Sequence, residues 1–149
     1  MDDEIKRKIL KLLDEHRIMT IATLRPDGWP QATTVGYGNE GLTLYCLCGL
    51  DSQKAANLAR DNRVSLTIDH DTPEVMATTG VSMAARAQAV ADRDEAGKVL
   101  RMLQMKFSGL SQPLPMLSPE NTKIFRVTPT VISVLDYSKG FGHTDLVTC

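Results

Sequence analysis

The chain has 149 residues, with 17 basic and 18 acidic side chains and a formal net charge of −1. That length fits one domain, 1–149, able to bury most of the surface its unfolded form exposes. The balanced charge offers no long-range field for nucleic acid or for an anionic membrane. No run approaches the roughly 18 apolar residues of a membrane span, and Met1-Asp2-Asp3-Glu4 is not the start of a secretory leader. The expectation is a soluble, cytoplasmic protein with no nucleic-acid or membrane partner.

In chain order, Ile5, Ile9, Leu12 and Leu13 recur at helical spacing while Lys6, Arg7, Lys8 and Lys11 gather on the other side, an amphipathic helix within 1–17. His16 suits its negative end. Arg25-Pro26-Asp27-Gly28 has Pro and Gly where a type I turn wants them, so the runs from Met19 and from Trp29 read as a hairpin. A second turn follows at Gly38-Asn39-Glu40-Gly41. In the strand 42–48, Leu42, Leu44, Cys46 and Cys48 share one face and Thr43, Tyr45 and Leu47 the other. Such incomplete alternation implies burial on both faces, as in a barrel at a dimer interface.

A short helix opens at Asp51-Ser52-Gln53-Lys54, continues through Ala55, Ala56, Leu58 and Ala59, and ends at Asp61-Asn62. Residues 64–68 resume a strand, and Asp69-His70-Asp71-Thr72-Pro73 reads as a polar loop. The strand 81–90 points Val81, Met83, Ala85, Ala87 and Ala89 inward. Asp92, with Glu95 three residues on, is a capping-box variant, and Ala96, Val99, Leu100, Leu103 and Phe107 give the helix after it an apolar face. Pro113, Pro115 and Pro119 mark an irregular crossing. Two final strands, 124–128 and 131–135, are split by Pro129, and 137–149 reads as a tail.

The opening of the short helix carries the strongest chemical signal. Backbone amides in a first helical turn have no internal partner and a partial positive charge, so a Ser hydroxyl beside them suits an anion. Lys54 at that positive end is unfavourable by a few tenths of a kcal/mol unless an anion lies between them. Without a ligand, Ser52 is an ordinary N-cap and Lys54 a solvated residue.

The remaining reactive residues point to little. Cys46 and Cys48 form C-x-C, not the redox C-x-x-C, and fit a buried structural role in a reducing compartment; Cys149 is terminal. His70 lies between Asp69 and Asp71, but alternating loop residues rarely converge on one ion and no second His or Cys cluster supports them, so no metal is expected. His143, in the glycine-flanked tail, is either solvated or folded over a cofactor of a partner subunit. Trp29 is expected in core or dimer-interface packing, or lining a pocket. No Ser-His-Asp arrangement or nucleophile elbow is present, and no residue declares itself catalytic.

The segment 19–68 resembles the pyridoxamine 5′-phosphate oxidase-like flavoproteins, the FMN-binding split-barrel family, through "MTIATLRPDGWPQATTVGY", "GLTLYCLCGLDSQKAANL" and "DNRVSLTI". Weaker similarity continues through "GVSMAARAQAVAD" and "IFRVTPTVISVLDYSKGFGHTDLV". The resemblance implies a mainly β fold with flanking helices, a six-stranded antiparallel split barrel, paired as a homodimer with FMN at the interface. It places the flavin ring against the second strand at Thr33, Thr34 and Val35, the ribityl chain beside Leu47 and Cys48, and the phosphate at Ser52, Gln53 and Lys54. An FMN-dependent oxidoreductase with a small-molecule substrate or electron donor follows from it. Two departures stand out: the oxidases proper carry Arg where this chain has Ala32 and Gln53, which removes bidentate phosphate pairing. Phe141-Gly142-His143-Thr144 likewise does not reproduce their vitamin-B6 substrate groups. A deazaflavin reductase, a non-enzymatic flavin or haem protein and an unliganded barrel remain the alternatives.

Overall fold

A computed structural model describes residues 1–109 and 120–149; the expected crossing at Pro113, Pro115 and Pro119 lies outside them. Three helices, α1 (Asp3–Glu15), α2 (Gln53–Arg60) and α3 (Arg93–Lys106), surround seven strands. The strands are β1 (Ile18–Leu24), β2 (Pro30–Glu40), β3 (Thr43–Gly49), β4 (Arg63–His70), β5 (Thr79–Ala89), β6 (Thr122–Asp136) and β7 (Thr144–Thr148). They run in the order β3-β2-β1-β4-β5-β6-β7, and β3 also pairs with β6. That extra pairing closes six antiparallel strands into a barrel and leaves β7 outside the closure. A closed barrel removes the two sheet edges an open sheet would expose.

The barrel interior is an apolar core that includes Met19, Ile21, Tyr37, Leu44, Leu66, Ile68, Val81, Met83, Val127 and Ile132. The two ends are covered differently. α1 sits where β1 begins and β4 and β6 end, and adds Ile9, Leu12 and Leu13 to the core. α2 sits at the opposite end, where β1 and β3 stop and β4 starts, and adds Ala55 and Leu58.

The hairpin at residues 25–28 forms as expected: the Gly28 amide donates to the Arg25 carbonyl at 2.9 Å, and Gly28 takes a φ of 86° that a side chain would resist. Several expectations are corrected. β2 runs on through Glu40, and its turn to β3 falls at Gly41. Asp69 and His70 belong to β4 rather than to a loop. β6 is one strand through Pro129, because a bulge opposite Ala84 and Ala85 lets the chain pass the missing N–H. There the Thr130 hydroxyl donates to the Ala84 carbonyl at 3.0 Å. Residues 137–149 are no loose tail: a short turn at Tyr137–Lys139 leads into β7 against β6.

The two-sided burial of β3 is real, and within this chain α3 covers its outer face. Tyr45 and Ile124 form a second apolar cluster with Ala96, Val99 and Leu103, with Leu47 and Phe107 packed against it. The Asp92 side chain caps α3, accepting from the Glu95 amide at 3.2 Å. Glu95 does not reach back to complete a capping box. It accepts from Arg126 at 2.7 Å and from the Tyr45 hydroxyl at 3.0 Å, tying α3 to β6 and β3. The Arg126 guanidinium accordingly holds the Glu95 carboxyl below its ordinary range. Trp29 is 70 % exposed and packs in no core of this chain.

Candidate functional site: the split between two strands and the first turn of α2

The β2–β3 ladder is short. It runs only from Glu40↔Thr43 to Tyr37↔Cys46, although β2 extends back to Pro30 and β3 forward to Gly49. Beyond Tyr37 the two strands part, β2 staying with β1 and β3 with β6. Alternate backbone N–H and C=O groups of β2 therefore face this gap instead of a neighbouring strand, and such groups require a partner. The expected flavin positions Thr33, Thr34 and Val35 lie on this diverging part of β2, and Leu47 and Cys48 lie on the opposite wall.

The side chains on β2 do not act together. Thr33 pairs with the buried Ile21 and faces inward, Val35 packs against the core, and Thr34 pairs with Thr20 and faces out. Thr33 Oγ1 is the one buried side-chain polar atom without a hydrogen-bond partner among the described residues. An orphaned buried hydroxyl costs about 1–3 kcal/mol unless something meets it.

α2 closes the end of the gap. The Ser52 amide donates to the Gly49 carbonyl at 3.1 Å, which turns the chain from β3 into the helix, and Ser52 Oγ accepts from the Ala55 amide at 3.1 Å. Ser52 is thus the N-cap that its sequence position implied. Ala56 returns its amide to the Ser52 carbonyl, so the amides of Gln53 and Lys54 are left without intrahelical partners. Lys54 has no hydrogen bond or ion pair among the described residues. Its charge is felt by the two thiols on β3. The neighbouring Cys48 thiol, and then burial, push Cys46 up. The Cys46 thiol draws Cys48 down against its burial, with Lys54 adding to the effect.

Gln53 turns the other way, along the helix. Its amide donates to Asn57 Oδ1 at 2.8 Å, and Asn57 Nδ2 donates to Thr23 Oγ1 at 2.9 Å and to Gln31 Oε1 at 3.3 Å. Asn57 is completely buried. This network bolts α2 to β1 and β2 and fixes the angle at which its first turn faces the gap. The sequence reading passed over Asn57, Thr23 and Gln31; the available signal was an amide side chain three residues after Lys54 in an otherwise alanine-rich helix. Outside the network lies a groove of about 480 Å³ lined by Arg25, Pro26, Asp27, Gln31 and Gln53. Arg25, held by Asp27 at 3.0 Å, brings a guanidinium to it.

The sequence model for pyridoxamine 5′-phosphate oxidase matches residues 5–136. The chain belongs to that family. General stress protein 26 of Bacillus subtilis is 28 % identical over 68 residues, which span 46 % of this chain and 48 % of that relative; the matched part is thus about half the length of each. The fold recurs in solved structures of low identity. ChuZ of Campylobacter jejuni superposes with a TM-score of 0.83 at 10 % identity, over 99 % of this chain and 61 % of that one. An FAD-binding protein from Mesorhizobium loti gives 0.68 at 17 % identity, covering 86 % and 91 %. HutZ, the heme storage protein of Vibrio cholerae, gives 0.67 at 18 %, covering 96 % and 93 %. Structures of this fold therefore include proteins described as binding a flavin and as storing haem. No helix among the described residues is long and apolar enough to cross a membrane.

Proposed function

We propose that this chain binds FMN in the gap between β2 and β3 and works as a homodimeric, FMN-dependent oxidoreductase. One observation carries the reading: Lys54, without an ion pair among the described residues, and the open amides of a Ser52-capped helix stand at the end of a gap whose walls present unpaired backbone. A phosphate there would meet opposite charge and hydrogen-bond donors together. Ser52, Gln53 and Lys54 would hold it, Leu47 and Cys48 would flank the ribityl chain, and the β2 edge at Thr33, Thr34 and Val35 would meet the polar rim of the ring. The isoalloxazine supplies the electron transfer, and the protein supplies binding and orientation. Arg25 stands near Gln53, at the position where the oxidases proper have their own guanidinium; Phe141-Gly142-His143-Thr144, which does not reproduce their substrate groups, argues for a substrate other than vitamin B6.

The dimer is supported by the outer barrel face. Ala32, Ala22, Ser65 and Ala84 line up across four strands, with Thr34, Thr20, Thr67 and Ser82 beside them. Ile18 and Leu146 are 60 % and 71 % exposed at its borders. A flat face of small side chains allows a second copy to approach closely, and such isologous pairing is the commonest assembly.

Likeness to HutZ favours a second reading, a haem protein, with His70 and His143 the histidines to test; a deazaflavin in place of FMN would use the same corner. The visible spectrum of purified protein, before and after FMN addition, separates them. Flavin bands with NADH- or NADPH-dependent turnover support the proposal, a Soret band supports haem, and a colourless protein indifferent to FMN overturns both.

A further inference from the structure

The end of the barrel away from the flavin gap holds two of the three histidines. His16 is the C-cap of α1, and His70, the last residue of β4, continues the inward row of Val64, Leu66 and Ile68 to the rim. The fold brings their rings edge to face, centroids 5.5 Å apart and planes at 78°. His16 Nδ1 lies 2.8 Å from the Leu12 carbonyl oxygen. A carbonyl only accepts, so Nδ1 carries the hydrogen and the lone pair of the neutral ring is on Nε2. That Nε2 lies 3.4 Å from His70 Nδ1.

The separation is long for a hydrogen bond. It suits two ligands of one ion: with metal–nitrogen distances of about 2.0–2.1 Å, nitrogens that far apart subtend roughly 108–116°, around the tetrahedral angle. The Leu12 carbonyl is the kind of outer partner that fixes tautomer and ring direction in metal-bound histidines. Asp14 and Glu15 precede His16, and Asp69 and Asp71 flank His70; Glu15 is paired with Lys11, and Arg17 and Lys106 offset Asp14, which leaves Asp69 and Asp71 as the carboxylates beside the pair. Among the described residues no group of three or more His, Cys, Asp or Glu is placed to hold a metal. The site thus has two protein ligands, with water or a small ligand in the remaining positions.

We propose that His16 and His70 bind one exchangeable divalent transition-metal ion of the zinc class, clipping the end of α1 to the end of β4. The sequence reading set a metal aside because His70 had no second cluster near it; the fold supplies the second ligand from 54 residues away. Since the ligands converge only in the folded chain, binding raises stability by mass action. The inference is independent of the flavin site.

The test is calorimetric titration of tag-free protein with Zn²⁺, together with the visible spectrum of its Co²⁺ complex. The expected result is one ion per chain, tetrahedral Co²⁺ bands and a Zn²⁺-dependent rise in Tm. All three should be lost in His16→Ala and in His70→Gln, and retained in His143→Ala and Cys149→Ser. His70 is exposed, so His70→Gln keeps the fold if His16→Ala does not. Absence of binding by the wild type, or binding that survives His70→Gln, overturns the proposal; so does binding lost in Cys149→Ser or His143→Ala.

Discussion

The two ends of the barrel are built from the same kind of part, a helix laid across a rim, and they treat their polar groups in opposite ways. At the α1 end, the His16–His70 pair on the rim aside, the groups are satisfied from within. The Leu13 carbonyl accepts from the Tyr37 hydroxyl at 2.7 Å and from Lys106 at 3.3 Å, and Lys106 also sits 3.8 Å from the centre of the Tyr37 ring. Asp136, nearly buried, pairs with Lys8 and accepts from the Ser138 hydroxyl at 2.6 Å. At the α2 end the helix is bolted down through Asn57, but among the described residues the charge of Lys54, the amides beside it and the Thr33 hydroxyl are left open. One end is held together by its own side chains; the other presents the donors that the proposed phosphate would meet.

This contrast can be broken in several ways, and the largest effect belongs at the open end. Lys54→Ala should weaken FMN binding by about 1.5–3 kcal/mol, the scale of a hydrogen bond to a charged group, while leaving the Tm of the ligand-free protein nearly unchanged. Flavin-fluorescence titration and a melting curve measure the two. A large fall in Tm with unaltered affinity would make Lys54 structural.

Asn57→Ala should do the reverse and act first on stability. It leaves Thr23, Gln31 and Gln53 without their shared partner inside the protein, a loss of about 2 kcal/mol and so several degrees in Tm for a chain of this size. Denaturant unfolding checks it. A smaller loss, about 1 kcal/mol, is expected for Tyr37→Phe, which removes one neutral hydrogen bond at the closed end.

The smallest effect is in acid. Lys8, with Ser138, lowers the Asp136 carboxyl from 3.8 to about 2. A carboxyl depressed in the folded state stabilises it fully above its unfolded value, and that contribution fades as the pH falls from about 4 to 2. After allowance for solvent at the rim, about 1 kcal/mol is at stake. Asp136→Asn should flatten that part of the pH–stability curve, and an unchanged slope would show that other carboxylates set it.

How much of this was legible in the sequence follows from the range of each interaction. Ser52 and Lys54 could be read because helix capping is local, settled within three residues. The Arg25–Gly28 hairpin was legible for the same reason. Pro129 misled, since a bulge depends on the opposite strand, where Ala84 and Ala85 give no sign of it. Tyr45 and Leu47 signalled burial without saying that α3 provides it. The Asn57 network and the His16–His70 pair join residues 26 to 54 positions apart, which no local pattern reports.

The account rests on a phosphate held at the first turn of α2, and comparing FMN with riboflavin, the same ring without the phosphate, tests that most directly. Dissociation constants of both should differ by roughly 10-fold or more in the wild type, by the charged hydrogen-bond scale, and most of that difference should vanish in Lys54→Ala. Equal affinities for the two flavins, or a preference for FMN that Lys54→Ala leaves intact, would contradict it.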